Sequence, residues 1–125
     1  MSNNQTYVEQ VVDAWEDGYK KGLLTFWILL ALHNGPKHMR QIKQYIEVDA
    51  HSNITVDEKS LYRSVNRFKK MELVESHDAT SPNGGPSFKV YTLAPPGKEA
   101  LKLFYARNIN QIFLTNAFQK ETKGL

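Results

Sequence analysis

Apolar positions recur every three or four residues along most of the chain, and the places where that rhythm stops mark the ends of the elements. From Tyr7 to Tyr19, the residues Val8, Val11, Val12, Trp15 and Tyr19 share a stripe with acids around the rest of the turn, which predicts an amphipathic helix. Gly18 and Gly22 flank Lys20 and Lys21 and predict a break before a second, more apolar helix, Leu23 to His33. Asn34-Gly35-Pro36 closes that helix, since glycine takes the left-handed cap and proline has no N–H with which to continue. Met39, Ile42, Tyr45 and Ile46 predict a third, short helix over 37–48, with Arg40, Lys43 and Gln44 on its other face, and 49–55 reads as a loop. Asp57 suits an N-cap and Glu58 the first turn, so a fourth helix is expected to run to about Met71.

The period then changes. Leu73-Val74-Glu75-Ser76 and Phe88-Lys89-Val90-Tyr91-Thr92-Leu93 read as strands, and the turn-forming run Ser81 to Pro86 between them predicts a hairpin. Pro96 suits the start of a final helix reaching about Phe118, with Gln119 to Leu125 expected to fray. That helix is apolar on two sides, Leu101, Phe104, Tyr105, Ile109 and Ile112 on one, Leu103, Ala106, Phe113, Leu114 and Ala117 on another. One side suits its own domain and the other a second copy of the chain. The expected homodimer interface comprises Leu101, Phe104, Tyr105, Ile109, Ile112 and Phe113 together with Val12 and Trp15. The alternative is a monomer whose N-terminal helix covers both sides. The whole is an α+β, mostly α chain with an N-terminal helical segment over 1–21, a central domain over 22–95 and a C-terminal helix and tail over 96–125.

The 125 residues suffice for one core and leave no room for a separate catalytic module. There is no cysteine, which removes disulfides, thiolate nucleophiles and cysteine-based zinc sites together, and His33, His38, His51 and His77 lack the i,i+4 spacing of a helical zinc site. No metal or cofactor is expected. The longest apolar run, Leu23 to Leu32, falls short of the roughly 20 residues that span a bilayer. Neither a membrane partner nor a signal peptide is supported, and a cytoplasmic location is expected. The net charge of +3 is unevenly spread, because residues 1–18 hold Glu9, Asp13, Glu16 and Asp17 and no lysine or arginine. The basic remainder suits a polyanionic partner.

At ~100° per residue, Lys59, Arg63, Asn66, Arg67 and Lys70 fall within about 100° of arc on the fourth helix, with Leu61, Val65 and Phe68 opposite. Arginine forks to guanine, asparagine pairs bidentately with adenine and lysine neutralises phosphates. A charged face on a surface helix is ordinarily just solvated. Here the order of elements tips the balance: two short helices, this helix, then a hairpin with a Gly-rich tip is the order of a winged helix-turn-helix, whose partner is double-stranded DNA. Lys59, Ser60, Arg63, Asn66 and Arg67 are candidates for contact with bases or nearby phosphates, and Lys70 and Lys89 for backbone contact. Tyr62 lies at the flank, with packing favoured over phosphate contact, and Arg40 and Lys43 are candidate phosphate contacts from the preceding helix.

From about Leu23 to Leu103 the chain resembles the PadR family of bacterial winged-helix transcriptional regulators. The resemblance is carried by Gly35-Pro36-Lys37-His38, Ser60-Leu61-Tyr62-Arg63, Lys69 to Ser76, Lys89-Val90-Tyr91-Thr92-Leu93 and Gly97-Lys98-Glu99-Ala100-Leu101. It implies a homodimer paired through the C-terminal helix, bound to a palindromic operator and repressing a neighbouring gene. Some members of the family bind flat aromatic effectors near the dimer seam, for which Trp15 and Trp27 are candidates here, although tryptophan in a small core is more commonly a packing residue. The chain departs from the family at Met39-Arg40, where Gly-Tyr is common, at Phe88, where a basic residue is common, and at Met71-Glu72-Leu73, which lacks the usual glycine. Between Glu75 and Leu93 only Lys89 is basic, so the wing is poorly charged. The rival readings are a winged-helix protein–protein interaction module and, less favoured, a small hydrolase, for which no G-x-S-x-G or phosphate-binding loop is present.

Overall fold

A computed structural model describes residues 6–125; the first five residues of the N-terminal segment lie outside the described residues. Thr6 opens α1 (Tyr7–His33) by accepting a hydrogen bond from the Glu9 N–H at 3.1 Å. The expected break at Gly18 to Gly22 does not occur. Each helical glycine costs about 1 kcal/mol relative to alanine, but two ion pairs span Gly18, Glu16–Lys20 at 3.7 Å and Asp17–Lys21 at 3.0 Å. The following turns are anchored by Phe26, Ile28, Leu29, Ala31 and Leu32 in the core. Extending an anchored helix adds one hydrogen bond per residue without a new nucleation cost, so the ladder runs through. Asn34 caps α1, and Gly35, at φ 133°, turns the chain back.

His38 starts α2 (Met39–Gln44) with a reciprocal cap: its Nδ1 accepts from the Gln41 N–H at 3.3 Å, while Gln41 Oε1 accepts from the His38 N–H at 2.9 Å. The helix widens into a π-helical turn, Tyr45–Asp49, that carries Ile46 into the core beside Ile42. The next loop is fastened by Glu47, whose carboxylate accepts from the Val56 N–H and from the Lys43 ammonium, both at 2.9 Å. Those bonds hold the Glu47 carboxyl below the usual range. Lys43 also donates to the Val56 carbonyl, so this lysine fastens the loop.

Asp57 caps α3 (Glu58–Lys70), which buries Leu61, Val65 and Phe68. The helix ends in a Schellman motif, with Glu72 N–H on the Lys69 carbonyl at 3.0 Å and Leu73 N–H on the Phe68 carbonyl at 2.9 Å. Strands β1 (Val74–Ala79) and β2 (Phe88–Leu93) pair antiparallel from Val74 opposite Leu93 to Ala79 opposite Phe88, so β1 reaches three residues beyond its expected end. Lys37 adds a bridge to the far side of β2 through two backbone hydrogen bonds with Tyr91, 3.1 and 2.8 Å. The hairpin is thereby tied to the start of α2.

Gly97 lies in α4 (Pro95–Tyr105) where a Cβ would stand 2.1 Å from the Leu73 carbonyl oxygen. The chain continues through a π-helical turn, Ala106–Asn110, and α5 (Gln111–Phe113), then breaks at Leu114. Thr115 caps α6 (Asn116–Thr122) by accepting from the Phe118 N–H at 3.1 Å, and the Phe118 ring meets Phe113 edge-on at 5.0 Å. The single final helix with a frayed tail is thus replaced by a kinked segment with a helical end, because a threonine cap and an aromatic contact restart the helix. Mostly helical with one small antiparallel hairpin, the chain has the α+β winged-helix architecture the pattern implied. Among the described residues, no helix is long and apolar enough to cross a membrane.

Candidate nucleic-acid interface

The fold places Lys59, Arg63, Arg67 and Lys70 on the exposed side of α3, with Ser60 and Asn66 half-buried beside them. Among the described residues, none of the α3 cations has a carboxylate within 4.0 Å; the four ion pairs found lie elsewhere. Arg63 Nη2 lies 3.4 Å from Ser60 Oγ, which itself donates to Asp57 at 2.9 Å. The Ser60 N–H donates to the other Asp57 oxygen at 2.9 Å, and these bonds depress the Asp57 pKa and keep the cap charged. The Arg67 guanidinium lies 5.1 Å from the Phe68 ring centre, which steadies its stem while leaving the residue exposed.

Tyr62 does not pack away as expected. It is 55% exposed and stands as a ridge between two grooves. One groove, about 450 Å³, is lined by His38, Met39, Arg40, Tyr62, Phe88 and Lys89, and the other, about 420 Å³, by Met39, Glu58, Lys59, Tyr62 and Arg63. Arg40 and Lys89 thus share a groove with Tyr62, while Arg67 and Lys70 lie further along α3. Lys89 is engaged by Asp78 at 2.8 Å, which raises the lysine pKa and lowers the aspartate's. The sequence reading did not single out His38, Met39 or Phe88 for this surface. Its available signal was the pair of departures from the family at Met39-Arg40 and Phe88.

The residues expected at a dimer interface are spread across different environments. Leu101 is 6% exposed in the protomer's own core, and Phe104 is half-buried against the Phe26 ring at 5.6 Å. Ile109 is half-buried, whereas Tyr105, Ile112, Phe113 and Val12 are exposed. Trp15 is 73% exposed, so the N-terminal half of α1 does not fold over the C-terminal segment within one protomer. Trp27 is half-buried, edge-on to Phe26 at 5.4 Å.

This arrangement of a cationic helix beside a short hairpin, both set on a three-helix core, defines a winged-helix protein. Residues 28–103 match the Transcriptional regulator PadR-like family, and the chain belongs to that family. It is therefore a transcriptional regulator of a DNA-binding class and not an enzyme. Among solved structures it is similar to a PadR-like transcription factor from Bacteroides fragilis, at 28% identity and a TM-score of 0.61 over 74% of this chain and 86% of that one. It is also similar to a PadR family transcriptional regulator from Eggerthella lenta, at 17% identity and a TM-score of 0.71 over 94% and 97% of the two chains. A third likeness is to Bacillus subtilis PadR, solved in complex with operator DNA, at 19% identity and a TM-score of 0.62 over 69% of this chain and 48% of that one. A comparison with curated proteins gave no sequence match.

Proposed function

We propose that this regulator binds double-stranded DNA sequence-specifically as a homodimer on a palindromic operator, in the cytoplasm, and represses transcription by occupying the promoter. The observation that carries the reading is the exposed face of α3, where Lys59, Arg63, Arg67 and Lys70 stand without a carboxylate partner among the described residues while the opposite face is locked in the core. A helix anchored in this way enters a major groove as a rigid unit. Arg63, Asn66 and Arg67 take the base edges, and Lys59, Ser60 and Lys70 the nearby phosphates. Tyr62 and Arg40 approach the backbone beside the helix. Two copies present two such helices, and a palindromic site follows from their two-fold symmetry. A small flat aromatic effector near Trp15 belongs to the same proposal, and titrating Trp fluorescence with aromatic compounds tests it.

A binding titration of the purified protein against the promoter upstream of its own gene, beside a scrambled duplex and at several salt concentrations, tests the reading. The expected result is preference for the promoter and an affinity that falls steeply with salt. Arg63→Ala and Arg67→Ala are each expected to lose about 1–3 kcal/mol of specific binding with folding nearly unchanged. Equal binding by both variants removes α3 from the interface. A folded protein that binds neither duplex at low salt favours the protein–protein interaction module instead.

A further inference from the structure

We propose that the groove bounded by α2, α3 and β2 is an apolar seat for one deoxyribose of the DNA backbone, with Arg40 taking the adjoining phosphate. The proposal rests on the DNA-binding reading and names what this part of the surface holds. Phe88 is 40% exposed, Tyr62 is 55% exposed, and Met39 lines the same groove. The His38 ring meets Phe88 edge-on at 5.9 Å with the planes at 90°, which fixes Phe88 at the groove wall. His38 is itself held by its cap on Gln41, so this wall is preorganised.

The charges around the groove select a polyanion over an apolar peptide. Arg40 is exposed and, among the described residues, has no carboxylate within 4.0 Å, and Lys59 and Arg63 lie across the Tyr62 ridge. The wing contributes little charge of its own, because Lys89 is bonded to Asp78 and Glu75 adds a second acid on β1. A DNA strand presents phosphates that alternate with sugar edges rich in C–H. Aromatic walls with an arginine at the rim match one such repeat: the sugar covers the exposed rings and the phosphate meets the cation. The wing of this protein therefore meets the backbone through apolar contact, where a basic wing would use charge.

The two kinds of contact differ in salt dependence, since only neutralised phosphates release counterions. The experiment measures the dissociation constant of the full-length protein for its promoter duplex across a salt series, for the wild type and for Phe88→Ala, Tyr62→Ser, Arg40→Ala and Arg63→Ala, each checked by thermal unfolding. Phe88→Ala is expected to bind about tenfold more weakly with the slope of log K against log salt unchanged. Arg40→Ala is expected to flatten that slope by about 0.9. If Phe88→Ala fails to fold, the exposed Tyr62→Ser carries the same expectation of weaker binding at constant slope. Wild-type affinity in the folded wall variants, or a loss accompanied by a flatter slope, overturns the seat. If Arg63→Ala loses binding while the wall variants do not, the seat fails and the DNA-binding reading stands. A wild type that binds no duplex removes both. Benzoate that displaces DNA from the wild type but not from Phe88→Ala assigns the groove to a small ligand and overturns the proposal.

Discussion

Glu72 has φ 63°, in the left-handed region where a Cβ crowds the backbone, because the Schellman bonds at the end of α3 place it there. A side chain in this conformation costs about 1–2 kcal/mol, part of which glycine regains at the expense of a more flexible unfolded chain. Glu72→Gly is therefore expected to stabilise the fold by about 0.5–1 kcal/mol, read in urea as a higher midpoint at constant m-value. An unchanged or lower midpoint would mean that the Glu72 side chain makes a compensating contact. The same scale explains why two lysines that look alike in sequence differ in role. Lys43 is half-buried and bound to Glu47 and the Val56 carbonyl, whereas Lys59 reaches solvent with no carboxylate partner among the described residues. The first is committed within the protomer and the second is not.

The junction of α3, β1 and α4 is set by close backbone approach. The Leu73 carbonyl accepts from the Ala94 N–H at 3.0 Å and leaves no room for a Cβ at Gly97, whose nearest side-chain neighbour, Leu93 Cδ1, would be 2.9 Å away. Gly97→Ala is expected to push α4 off the hairpin and cost about 2–4 kcal/mol, measurable as a fall in Tm, with operator binding lost in proportion to the unfolded fraction. A variant of wild-type Tm would show that α4 can shift without loss of packing. Elements held by local signals were readable from sequence: Asp57 and the apolar spacing marked α3, and the turn-forming run 81–86 marked the hairpin. Elements decided by packing were not. The glycines of α1 read as a break because their spacing shows neither the core anchor beyond Gly22 nor the ion pairs across Gly18 that carry the helix through. The restart at Thr115 was masked by apolar residues that keep the helical period on both sides. The basic face of α3 was legible because one helix carries all of it, but the apolar groove unites His38, Phe88 and Tyr62 from three elements, and no spacing in the chain connects them.

Among the described residues, two further runs of exposed apolar side chains lie on other elements than α3. Val11, Val12, Trp15 and Tyr19 are exposed along α1, and Leu103, Ile112, Phe113 and Leu114 along the C-terminal segment. Patches of this kind on a regulator are suited to a second copy, and a stable interface buries about 1,000 Å² or more in total. Leu101 and Phe104 then support the interface from within, since they already pack inside the protomer. A buried interfacial tryptophan typically contributes 2 kcal/mol or more, so Trp15→Glu is expected to raise the dimer dissociation constant by about 30-fold or more. Light scattering on a size-exclusion column reads this as a shift from twice the chain mass toward one. Because Trp15 lies in the protruding half of α1, outside the protomer's core, the variant should retain its fold. Operator affinity should fall with the dimer, since the second half-site is then no longer bound at the high effective concentration that linkage provides. Loss of dimer with operator affinity unchanged would mean that one copy reads the site alone, and an intact dimer would move the interface from α1 to the C-terminal segment, where Leu114→Glu repeats the test.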